Sequence, residues 1–151
     1  MSTETVQDPP RRRPRVGWWV TLAVVAVVVV TGVAQIFPLA RTADVAVPPP
    51  DATAEDVVRA YLTALDAHDC ATAQALTAPE FATTTESMCH DVSSLEITDL
   101  ETVGTGAVNA GFDVDWRFFA DDTSIPEGGF GWTYYLTRDP EGWRIEDAGN
   151  G

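Results

Sequence analysis

Between Arg15 and Arg41 the chain runs from Val16 to Ala40 without one charged side chain, and its interior, Val20 to Val33, is almost wholly Val, Ala, Leu and Thr. As a helix this stretch reaches about 37 Å, enough to cross a hydrocarbon core of ~30 Å with some tilt. Arg11, Arg12, Arg13 and Arg15 precede it, whereas Arg41 is soon followed by acids. The cytoplasmic preference of cationic flanks therefore places the N-terminus inside. Trp18 and Trp19 sit where an inner aromatic belt would lie, and Pro38 marks the outer end. A cleavable secretory signal fits less well. Its apolar core spans roughly 7 to 15 residues and ends in a small-x-small site, unlike the exit Phe37-Pro38-Leu39-Ala40-Arg41. The expectation is a single-pass plasma-membrane protein: a basic cytoplasmic tail (1–15), a helix in the lipid bilayer (16–40), and everything beyond outside the cytoplasm.

The rest of the chain has room for one small domain. Residues 41–151 carry five arginines against 21 carboxylates, a formal balance of −16. Phosphate neutralisation needs a basic stripe, so nucleic acid is excluded as a partner. Adhesion of the domain to anionic headgroups is disfavoured for the same reason. Residues 41–52 hold Pro48, Pro49 and Pro50, which favour polyproline II and predict a semi-rigid spacer of about 30 Å before a domain over 53–151.

Within that domain the hydrophobic period changes once. Thr53 and Asp56 resemble a capping box, and Val57, Tyr61 and Leu65, flanked by Val58 and Leu62, give one apolar stripe. Cys70 to Thr77 reads as a short second helix, and Pro79 can open a third through about Met88. After Asp91 the period becomes two. Val108, Ala110, Phe112, Val114, Trp116 and Phe118 alternate with Asn109, Gly111, Asp113, Asp115 and Arg117. Phe130, Trp132, Tyr134 and Leu136 repeat the pattern, as do Trp143 and Ile145 after the Asp139-Pro140-Glu141-Gly142 turn, and Ser93 to Val103 is a less regular first strand. This predicts an α+β fold, two or three helices on one face of a four-stranded antiparallel curved sheet.

With this order in place, RAYLTALDAHD (Arg59 to Asp69) and GWRIEDAG (Gly142 to Gly149) resemble the nuclear-transport-factor-2-like superfamily, the cystatin-like α+β cone, over roughly Thr53 to Asn150. The resemblance implies a cone whose helices cover a concave sheet, and it includes ketosteroid isomerases with a hydrogen-bonding tyrosine on the first helix. Tyr61 matches that position. Those enzymes also need an aspartate base and a protonated aspartate on a later strand, whereas Glu86 is the lone candidate base near Thr83 to Ser87 and Phe130 to Thr137 has no carboxylate. No catalytic residue is therefore assigned. No Ser, His and Asp arrangement suggests a hydrolase either, and Gly104-Thr105-Gly106 reads as a hairpin turn rather than a phosphate loop.

Cys70 and Cys89 are the only cysteines, and outside the cytoplasm an even pair reads as a disulfide. Free thiols and a zinc site with His68 and His90 are the alternatives, the latter strained by adjacent Cys89 and His90. No metal or cofactor is expected. Weak calcium binding by Asp113, Asp115, Asp121 and Asp122 competes with a plain solvated acidic face.

Two surfaces are candidates for function. Tyr61, Phe112, Trp116, Phe118, Trp132, Tyr134 and Trp143 would line a cavity under the helices or fill it as solid core. The polar face, with Asp113, Asp115, Arg117, Thr133, Tyr135, Arg144 and Glu146, has the mixed charge of a modest interface for a protein partner or self-association. The expectation is a tethered, non-catalytic binding or assembly module, with a small-molecule carrier or enzyme as the alternative.

Overall fold

A computed structural model of the 151-residue chain describes residues 16–36, 40–117 and 128–149. The basic tail, Phe118, Asp121 and Asp122 lie outside the described residues. The chain divides into two compact units between Phe37 and Pro38.

The first unit contains helix α1, Val16–Ile36. Its side chains are described from Val20 to Val30, all exposed. No helix among the described residues is long and apolar enough to cross a membrane; that described run is only half of α1.

The second unit is α+β. Helices α2 (Ala54–Asp66) and α3 (Cys70–Ala75), a 3-10 turn (Pro79–Phe81) and α4 (Ala82–Asp91) precede strands β1 (Val92–Thr102), β2 (Ala107–Trp116), β3 (Gly128–Asp139) and β4 (Gly142–Gly149). The strands form one antiparallel meander in the order β1-β2-β3-β4. The third expected helix is split, because Pro79 opens the 3-10 turn and the α-helix follows it.

Helix α2 begins at the expected capping box: the Thr53 hydroxyl accepts from Asp56 N–H, and Asp56 accepts from Thr53 N–H, both at 3.1 Å. It buries Val57, Val58, Tyr61, Leu62, Ala64 and Leu65 against the sheet. Its end is a Schellman motif, with His68 N–H to Leu65 O at 3.0 Å and Asp69 N–H to Ala64 O at 2.8 Å. His68 takes the left-handed φ of 55° where glycine is usual. The His68 Nε2 sits 3.2 Å from Val92 O, so the side chain ties this turn to the start of β1.

Register settles which residues share a face. Val108 opposes Tyr134, Ala110 opposes Trp132 and Phe112 opposes Phe130, all facing the helices. In the β1–β2 turn, a Cβ on Gly106 (φ 79°) would meet Leu136 O at 2.7 Å, so only glycine fits there. The outer edge of β4 is closed by residues 76–78: Ala78 N–H donates to Ile145 O, and Ile145 N–H to Leu76 O. β1 is the other edge, where Leu95 N–H donates to Asp66 Oδ1 at 2.8 Å.

The segment expected as a semi-rigid spacer is docked on the globular unit. Thr42 N–H donates to Ala67 O at 2.9 Å, Val45 N–H to Asp69 Oδ2 at 3.0 Å, and the Thr72 hydroxyl to Val45 O at 3.3 Å. Arg41 pairs with the same Asp69 carboxylate at 3.1 Å, and Arg138 reaches Pro50 O. Backbone groups left over at the α2–α3 corner explain this: the end of a helix offers unpaired carbonyls and the start of the next offers N–H groups. The strap and Asp69 meet both demands.

Candidate functional site

The inner face is a continuous aromatic ladder. Tyr61 packs edge-on to Tyr134 at 5.8 Å between ring centroids, Tyr134 to Trp132 at 6.0 Å, Trp132 to Phe130 at 6.4 Å and Phe130 to Phe112 at 6.2 Å. Tyr61, Phe112 and Tyr134 are completely buried. Trp116, Trp132 and Trp143 are half-buried, and Trp143 lies at the far hairpin, 5.5 Å beneath the Arg138 guanidinium. The candidate cavity residues are thus spread along the face, with Tyr61, Phe112 and Tyr134 in the core cluster itself.

Two phenols are buried there. The Tyr61 hydroxyl lies 3.4 Å from Thr85 Oγ1 and 3.7 Å from Met88 Sδ. Burial pushes its pKa far above the usual phenol value, against a smaller opposing effect of the Thr85 bond. Tyr134 is shifted the same way by burial and by the neighbouring Tyr61, and its buried hydroxyl has no protein partner among the described residues. Both are therefore neutral at ordinary pH, able to donate a hydrogen bond but not to act as bases. Thr85, beside Tyr61, is a further buried hydroxyl there.

The cysteines form the disulfide Cys70–Cys89, joining the start of α3 to the end of α4 with Cα atoms 5.8 Å apart. Their geometry is that of the disulfide reading of the pair. His68 turns to Val92 O, while His90 faces Arg117.

The outer face is more acidic than its sequence suggests. Asp113 and Asp115 are exposed between the buried Phe112, Val114 and half-buried Trp116, and Ser94 donates to Asp115 at 2.9 Å. Thr133 donates to Asn109 at 2.8 Å, and Tyr135 is 43% exposed. The two expected cations are engaged at the ends of the face. Arg144 is held at the β3–β4 hairpin by Glu141 at 3.0 Å and Asp139 at 3.8 Å. Arg117 turns to α4, donating to His90 O at 3.2 Å. Glu146 stays half-buried on β4. Carboxylates therefore outnumber cations on this face. Sequence reading missed Glu96, Asp99 and Glu101 of β1, because a register shift between Ile97 and Asp99 breaks the alternation.

Two hollows flank this surface. One of about 530 Å³ lies between α2 (Leu62, Thr63, Asp66) and the β1–β2 edge. The other, about 360 Å³, is a trough over Gly111 and Gly131 lined also by Asp99, Asn109 and Thr133.

No protein-family model matches the chain, and no curated protein matches it. Solved structures that it resembles include RPA3114, a SEC-C motif containing protein from Rhodopseudomonas palustris, at 14% identity, covering 66% of this chain and 82% of that one with a TM-score of 0.43. An uncharacterized cystatin fold protein from Novosphingobium aromaticivorans matches at 18% identity over 63% and 97% of the two chains, TM-score 0.43. A provisionally named polyketide cyclase from Pseudomonas putida KT2440 matches at 20% identity over 66% and 92%, also at 0.43.

Proposed function

We propose that this protein is a single-pass membrane protein of the plasma membrane whose cystatin-like globular unit, outside the cytoplasm, binds another protein through its outer sheet face. The observation that carries the reading is the asymmetry of β2: Phe112 and Val114 are buried, and Asp113 and Asp115 between and beyond them are exposed. A strand that commits one row of side chains to the core leaves the other row available to a partner. The anchor reading is supported by the sequence of the Val16–Ile36 helix, which is charge-free and apolar on every side. The disulfide supports an oxidising compartment.

The test places a photo-crosslinking side chain at Tyr135 on the outer face or at Val103 beside the β1–β2 turn, in intact cells. Reaction at Tyr135 alone supports the reading; equal reaction at both positions, or none at either, contradicts it. Topology is tested by reporters fused at Gly151, since activity of a cytoplasm-only reporter there overturns the orientation. A carrier or enzyme is the second reading, favoured by the Tyr134 hydroxyl beside Tyr61, which has no protein partner among the described residues.

A further inference from the structure

Cross-strand register sorts the outer face into rows that run across three strands. Glu96 opposes Asp113, Asp99 opposes Gly111 and Glu101 opposes Asn109. These continue onto Gly129, Gly131 and Thr133. Each row therefore starts with a carboxylate on β1 and opens onto small or uncharged groups on β3. Two features of the arrangement oppose stability. Like charges directly across a strand pair, as at Glu96 and Asp113, are destabilising. Glycine inside a strand also weakens it, and often marks a place where a ligand or another backbone comes close.

The glycines are not equivalent. A side chain at Gly111 would press on Thr98 Oγ1 at 2.9 Å, whereas one at Gly131 would meet only Ala110 O at 3.9 Å, with no positive φ. The fold therefore accepts a side chain at 131, and its absence leaves the floor of the 360 Å³ trough open. Arginines of the globular unit have acceptors or ring partners of their own. Arg59 pairs with Glu55, Arg41 with Asp69 and Arg144 with Glu141, while Arg138 covers Trp143 and Arg117 meets His90.

We propose that the trough over Gly111 and Gly131 receives an extended segment of a partner protein bearing arginine or lysine, with its cations against Glu96, Asp99 and Asp113. This rests on the outer-face reading above and names the chemistry of its partner. Charge complementarity selects the occupant: a second copy of this chain brings a further formal charge of −14, and like charge facing like charge opposes association. A glycine floor suits a main chain, and alternate side chains of an extended segment project to one side.

The experiment uses the full chain in detergent and three synthetic octapeptides, alternating Arg-Ser, Gln-Ser or Glu-Ser. Two variants separate shape from charge. Gly131→Thr fills the trough with its charge intact, and Glu96→Gln with Asp113→Asn removes charge with the trough intact. Unfolding curves confirm that each variant is folded. The Arg-Ser peptide is expected to bind, about tenfold or more weakly at ~0.5 M than at ~0.05 M salt, and about tenfold more weakly to either variant, a change of ~1.4 kcal/mol. Equal binding of the Gln-Ser peptide, or undiminished binding to Gly131→Thr, overturns the proposal. If Gln-Ser binds and Gly131→Thr abolishes it, the outer-face reading survives while the cationic partner falls. If no peptide binds and Tyr135 crosslinks nothing, both fall.

Discussion

The inner and outer faces of the sheet are cut from the same strands, yet they answer to opposite rules. Along β2, Phe112 has no exposure and joins the aromatic ladder, while Asp113 next to it stands opposite Glu96. The inner row is what burial of apolar surface selects. The outer row contains like-charged neighbours and interior glycines, which stability does not select. Residues that cost stability and sit on the surface are where function is to be sought.

The contrast is testable by substitution, beginning inside. Phe112→Ala is expected to lower stability by about 3–5 kcal/mol, the range for truncating a buried aromatic, measured by urea unfolding. A loss under ~1 kcal/mol would mean that the inner face already holds space, which favours the carrier reading. Replacing both Cys70 and Cys89 by serine should remove about 3 kcal/mol, since the bridge closes a loop of 19 residues' separation.

The strap comes next. Asp69 is 1% exposed, and burial alone would raise its pKa. Bonds from Val45 N–H and Thr72, together with the Arg41 charge, outweigh burial and hold it below the usual carboxylate value. Its folded pKa being lower than its unfolded one, the stabilisation is present above the unfolded pKa and is lost as pH falls through the folded one. Asp69→Ala should therefore cost about 1.5–3 kcal/mol at neutral pH and flatten the acid limb of the stability curve below about pH 4. Unfolding of wild type and variant across that range measures both effects. An unchanged acid limb would show that the strap does not rely on this carboxylate.

Smaller effects mark the two faces most finely. Tyr134→Phe removes a hydroxyl that has no protein partner among the described residues, so stability should change by less than about 1 kcal/mol and rise rather than fall. A larger loss would reveal a bound partner for that hydroxyl. On the outer face, Glu96→Gln should stabilise by roughly 0.2–1 kcal/mol by relieving Asp113.

The elements were legible because their signals are local. Thr53 with Asp56 caps α2 as its spacing implies, and the period-two run from Val108 to Val114 buries the predicted side of β2. The cysteine pair was also readable, from its even number. What escaped the sequence depends on partners distant along the chain. The docking of residues 41–52 is invisible from composition because its counterpart is the α2–α3 corner, though Asp69 followed three residues later by Thr72 was a legible cap signal. Likewise Arg117 and Arg144 alternate correctly with core residues, but their long side chains are taken up by His90 and by Glu141 and Asp139. Glu96 and Asp99 were hidden by the irregularity in β1.

The most direct measurement pairs stability with capture in one variant, Glu96→Gln with Asp113→Asn. Its thermal midpoint and its yield of crosslinked protein through Tyr135 in intact cells are read side by side. An unchanged or higher midpoint with capture reduced to background is the predicted result. Capture equal to wild type, at unchanged stability, would contradict the assignment of function to the outer face.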